Sequence, residues 1–130
     1  MTETTTPTVT MHIGEVAERT GLSHRTIRHY DEVGLLQASG RTEGGFRLYT
    51  QADIDRLLVI RRMKPLGFSL EEMMELLRVI DGLEQDPSGE EGARLREELA
   101  AFIVAAEERR GKLVAQLSMA DEFLGMLRRR

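Results

Sequence analysis

Residues 13–33 read Ile13-Gly-Glu-Val-Ala-Glu-Arg-Thr-Gly-Leu-Ser-His-Arg-Thr-Ile-Arg-His-Tyr-Asp-Glu-Val33. Ile13, Val16 and Ala17 fall on one face at helical spacing, which predicts a helix over about 13–19. Gly21 suits the left-handed turn that closes such a helix, and Ser23 suits the N-cap of a second one over about 24–33. Gly34 would end that helix, with Leu35 and Leu36 docking its exit. Two short helices joined by a tight turn can lay the second in a DNA major groove. The second helix here carries the right chemistry. Arg25 and Arg28 are three apart and share a face. His24 sits at the helix start, beside N–H groups that favour phosphate. Tyr30 offers a hydroxyl.

The next segment changes character. Ser39-Gly40-Arg41 and Gly44-Gly45 are turn residues, and Phe46, Leu48 and Tyr49 form a short extended run. A Gly-Gly turn between two extended runs predicts a small hairpin, a wing beside the helix pair. Arg41 and Arg47 bracket it, and each guanidinium can pair bidentately with guanine or phosphate. One such arginine alone would read as a solvated surface cation. The set, on a helix-turn-helix followed by a hairpin, points to DNA.

Two capped helices follow. Thr50 with Asp53 resembles a capping box for a helix over about 51–64, with Tyr49 and Ile54 as a hydrophobic staple, and Pro65 and Gly67 stop it. Ser69 with Glu72 repeats the box, with Phe68 and Met73 as the staple pair, for a helix to about Ile80 that Asp81-Gly82 would end. Residues 83–89 read as a polar connection. From about 90 to 128 the pattern is one helix, roughly 55–60 Å long at 1.5 Å per residue. Leu99, Ile103, Ala106, Leu113, Leu117, Ala120, Leu124 and Leu127 fit the a and d positions of a heptad, broken only by Arg110. A narrow stripe on so long a helix predicts self-association, most simply as a two-helix coiled coil.

Composition narrows the function. The chain has 130 residues and no cysteine, so disulfides, thiolate metal sites, iron–sulfur clusters and thiol switches within it are excluded. No apolar run approaches the ~20 residues that span a membrane. Met1–Thr10 is Thr-rich and lacks the regions of a signal peptide, so a cytoplasmic location is expected. The net charge of −4 is unevenly spread: residues 1–68 carry 9 Lys/Arg against 8 Asp/Glu, and residues 69–130 carry 9 against 14. DNA binding needs a basic surface rather than a basic average. No nucleophile–base constellation, metal motif or phosphate-binding loop is legible, so an enzyme is not expected.

With these segments assembled, residues 12–80 resemble the DNA-binding part of the MerR family of transcriptional regulators. The resemblance rests on Ile13–Ala17, Thr26–Asp31, Gly34–Leu36, Arg41–Tyr49 and Leu66–Glu72. It implies a mainly α fold: a disordered tail (1–11), a winged helix-turn-helix domain (12–82), a connection (83–89) and a long dimerisation helix (90–130) in an antiparallel coiled coil. It further implies a homodimer on a pseudo-palindromic promoter in double-stranded DNA, bending and underwinding it for RNA polymerase holoenzyme. Carried over position by position, the DNA contacts are Arg25, Arg28, Tyr30, Arg41, Gly45, Phe46, Arg47 and Tyr49, to which the helix-start argument adds His24.

Two positions depart from the family pattern: Phe46 stands where a Tyr is usual, and His29 where an aromatic is usual. The family's metal and redox sensors use cysteines, so those subclasses do not fit this cysteine-free chain. Its drug sensors carry a separate C-terminal ligand domain, expected to be lacking here because the sequence stops at Arg130. His12, His24 and His29 read as DNA or surface residues, not metal ligands, and no cofactor is expected. Met63, Met73, Met74, Met119 and Met126 read as packing, and Arg128-Arg129-Arg130 as balancing the negative end of the long helix. The effector and the operator are not legible. The rival reading is a small-molecule sensor module, or a repressor that does not distort its promoter.

Overall fold

A computed structural model describes residues 10–36, 40–86 and 88–130, with the Arg41 side chain outside the description. The chain forms two compact units, Met1–Pro65 and Leu66–Arg130. That division falls inside the 12–82 segment expected as one domain.

The first unit begins with α1 (Ile13–Thr20) and α2 (His24–Glu32). Gly21 closes α1 at φ 72°, its N–H donating to the Ala17 carbonyl at 2.9 Å. This is the left-handed C-cap that only glycine adopts without strain. Buried Thr20 supports the turn: its hydroxyl donates to the Val16 carbonyl (2.8 Å) and accepts from the Leu22 N–H (3.3 Å). Ser23 then caps α2 by accepting the Thr26 N–H at 3.1 Å. The end of α2 is a Schellman turn. The Leu35 N–H donates to Tyr30 O at 3.0 Å and the Gly34 N–H to Asp31 O at 3.3 Å. The turn points Leu35 and Leu36 inward, where both are buried.

Two short strands, β1 (Gly40–Arg41) and β2 (Arg47–Leu48), pair antiparallel with Gly40 opposite Leu48 and Arg41 opposite Arg47. The loop joining them is closed by the Gly45 N–H on Thr42 O (2.9 Å) and the Thr42 N–H on Phe46 O (2.9 Å), with Gly45 at φ 83°. A four-residue turn ending in a left-handed glycine is the bulged hairpin loop that a Gly-Gly pair permits. Met11 does not belong to the tail. It is buried and exchanges both backbone hydrogen bonds with Tyr49, at 2.7 and 2.8 Å. The rest of the expected tail, residues 1–9, lies outside the described residues.

Helix α3 (Gln51–Met63) starts from the expected capping box: the Asp53 N–H donates to Thr50 Oγ1 and the Thr50 N–H to Asp53 Oδ2. Val16, Ile27, Tyr49, Leu57 and Ile60 are fully buried. Each such side chain contributes roughly 1.5–3 kcal/mol of burial. Both tyrosines of the chain, Tyr30 and Tyr49, lie in this unit and are buried.

A 3₁₀ turn (Lys64–Leu66) leads to the second unit, which contains α4 (Leu70–Gln85) and α5 (Gly89–Arg128). Ser69 and Glu72 make the second capping box at 2.9 and 3.1 Å. Helix α4 does not stop at Asp81-Gly82, and the connection is shorter than 83–89. Gly82 lies inside the helix, with Leu95 of α5 packed onto it. The two helices run antiparallel. From one end of the pair to the other, Gly82 meets Leu95, Arg78 pairs with Glu98 at 3.1 Å, and Glu72 pairs with Arg109 at 3.2 Å. The Arg109 guanidinium also stacks 3.9 Å above the Phe68 ring.

Helix α5 has 40 residues, about 60 Å at 1.5 Å each. From residue 110 onward every side chain is exposed, Leu113, Leu117, Leu124 and Leu127 among them. Ile103 and Ala120 are exposed too, whereas Leu99 and Ala106 are half-buried. Among the described residues no helix is long and apolar enough to cross a membrane.

Candidate nucleic-acid interface

Three elements of the first unit converge on one shallow groove of about 280 Å³, lined by His12, Ile13, Arg28, Gly45, Phe46 and Arg47. His12 and Ile13 are the start of α1, Arg28 is on α2, and the others are the wing. Ser23 sets the phase of α2, because its cap fixes which side chains point outward. With Ile27 and Tyr30 turned into the core, His24, Arg25, Arg28 and His29 face solvent. The outward face of α2 is therefore open and carries two arginines and two histidines, with one exposed acid, Glu32, in its last turn. Phe46 lies 69% exposed beside the hairpin turn, its ring against Gly44. An exposed aromatic on a wing can lie along a sugar–phosphate backbone without needing a hydroxyl.

Three expected contacts look different in the structure. Tyr30 is only 5% exposed and contributes its ring to the core. Tyr49 is wholly buried. Its hydroxyl lies 3.4 Å from Asp31 Oδ2, and its backbone is taken by Met11, so it supports the wing from beneath. Burial pushes its phenol above the ordinary value, and the Asp31 carboxylate adds to the rise. Arg47 reaches the groove, but its Nε also pairs with Asp31 Oδ2 at 3.0 Å. The Arg41 side chain lies outside the described residues.

The residue missed by sequence reasoning is Asp31. An acid in the last turn of a helix meant for DNA reads as a liability, and its partner is sixteen positions away on another element. Among the described residues no cluster of His, Cys, Asp or Glu could hold a metal ion.

Residues 11–79 match the MerR HTH regulatory protein family, and residues 54–118 match the MerR DNA-binding family. The chain belongs to the MerR family. Among its relatives, the mercuric resistance operon regulatory protein of Bacillus cereus is 48% identical over 69 residues, 53% of this chain and 52% of that protein. The chain thus spans about half the length of that relative. A MerR-family regulator from Bacillus cereus has a similar structure, with a TM-score of 0.63 at 29% identity, covering 90% of this chain and 76% of that one. HiNmlR, a MerR-family regulator lacking the sensor domain and bound to promoter DNA, gives 0.63 at 27% identity, covering 90% and 80%. These MerR likenesses fit the winged helix-turn-helix described above.

Proposed function

We propose that this MerR-family chain is a sequence-specific, DNA-binding transcriptional regulator that acts as a homodimer. The observation that carries this reading is the groove in which Arg28 of α2 meets Phe46 and Arg47 of the wing. A helix entering the major groove and a wing following the backbone need that juxtaposition, because phosphate contacts fix the register in which base contacts are read. The likeness to HiNmlR bound to promoter DNA supports it. The exposed apolar residues of α5 favour a dimer, since a stripe of this length is usually covered by a second helix.

Two subunits related by a two-fold axis read a pseudo-palindrome. The dimer bends and underwinds the promoter, and RNA polymerase holoenzyme is its partner there. Selection of bound fragments from genomic DNA tests this. The expected result is a set of fragments sharing an inverted repeat, whose mobility changes with the position of the site, as a bend requires. Fragments with no shared repeat would overturn sequence-specific binding. A shared repeat without a bend would overturn distortion alone and leave simple repression.

A further inference from the structure

We propose that Asp31 is a positioning residue that locks the wing onto the recognition helix and keeps the Arg47 charge neutralised. Its importance for DNA rests on the function proposed above; the lock itself is a property of the free protein. One carboxylate oxygen, Asp31 Oδ2, accepts from Arg47 Nε at 3.0 Å and lies 3.4 Å from the Tyr49 hydroxyl. Both donors come from one short stretch at the end of the hairpin, and the acceptor stands in the last turn of α2. The pair is sheltered, with 26% of the Arg47 side chain and 15% of the Asp31 side chain exposed. A charge-assisted contact in such a place is stronger than one at an open surface, and removing either partner strands the other.

The location gives the lock its purpose. A two-stranded hairpin is marginal by itself, so its angle to the helix must be set by something outside the sheet. The Met11 bridge ties the backbone of Tyr49, and Asp31 ties the side chains on either side of Leu48. An acid on this helix would repel phosphate if left unpaired. Paired with Arg47 it is neutral, which leaves Arg25 and Arg28 against a single exposed acid, Glu32, on the α2 face. Arg47 then acts by holding the wing and does not neutralise a phosphate of its own.

Hydrogen exchange in the free protein tests the lock directly. Asp31→Asn and Arg47→Gln should each speed exchange several-fold at the Met11 and Tyr49 amides and leave the α4 amides unchanged, and Asp31→Glu should restore protection. Unchanged exchange at Met11 and Tyr49 in both variants would overturn the lock. The salt dependence of binding to a selected fragment separates positioning from direct contact. Arg47→Gln should weaken binding without flattening the slope of log K against log salt. Asp31→Asn, which frees a cation, should steepen it by up to about 0.9 per subunit. A slope flattened by about 0.9 per subunit in Arg47→Gln would show a direct phosphate contact and overturn the neutralised role. If the wild-type protein bound no DNA, the regulatory reading would fail, and the exchange data would still decide the lock.

Discussion

Leu95 packs so closely onto Gly82 that a Cβ at residue 82 would lie 2.6 Å from Leu95 Cδ1. Helical propensity alone favours alanine over glycine by about 1 kcal/mol. Displacing a buried leucine costs about 1–3 kcal/mol. Gly82→Ala should therefore destabilise the protein by a net amount of about 1 kcal/mol. In a Leu95→Ala background the clash is gone, and the same change should stabilise. Urea unfolding of the four proteins checks the reversal of sign; a stabilising Gly82→Ala in the wild-type background would show that Leu95 yields freely.

Arg109 holds the α4–α5 pair through three unlike contacts: the Phe68 ring, the Glu72 carboxylate and the Leu66 carbonyl. Lysine keeps the charge but loses the planar stack and the fork. Arg109→Lys should cost about 0.5–1.5 kcal/mol, and equal unfolding midpoints would show that charge alone matters.

The Ser69 N–H, and after it the Arg109 charge, hold the Glu72 carboxyl below its ordinary 4.5. A lowered value in the folded state means that this stability is present above pH 4.5 and is lost as the pH falls through the depressed value. The wild-type thermal midpoint should drop more steeply on acidification than that of Glu72→Gln. Parallel pH curves would count against the capping role.

Tyr49 works at the other end of the scale. Its phenol is raised above 10.0, first by burial and then by Asp31. A raised value means that its contribution is complete below pH 10.0 and is lost as the pH climbs through the raised value. Calorimetric midpoints should fall more between about pH 9 and pH 11 for the wild type than for Tyr49→Phe.

On α2, exposure separates reading from support. Arg28→Ala should weaken specific DNA binding by roughly 1–3 kcal/mol if it contacts a base, with little change in stability. Tyr30→Ala should unfold the first unit more easily, because its ring is core. Titration of both variants with a selected fragment checks the contrast. A fully stable Tyr30→Ala that has lost only affinity would reverse the assignment.

Local chemistry made much of this fold legible. The Ser69/Glu72 and Thr50/Asp53 boxes, the Gly21 turn and the Gly44-Gly45 hairpin are each determined within a few residues, so sequence spacing alone specifies them. The features that spacing does not show share one physical cause: they depend on a partner distant in sequence. Asp81-Gly82 reads as a helix stop until Leu95 is seen to need the missing Cβ. Tyr49 reads as a ligand contact until Asp31 and Met11 surround it. Tyr30 reads as polar because its hydroxyl is visible in sequence and the burial of its ring is not.

The placement of the tyrosines has an optical consequence. The chain has no tryptophan and two tyrosines, and both are buried in the first unit. Its longest helices, of 16 and 40 residues, are both in the second. Intrinsic fluorescence therefore reports on the helix-turn-helix and wing alone, while far-ultraviolet ellipticity is weighted toward the α4–α5 pair. The unlabelled protein carries one signal confined to the first unit and a second dominated by the other side of the Pro65–Leu66 boundary.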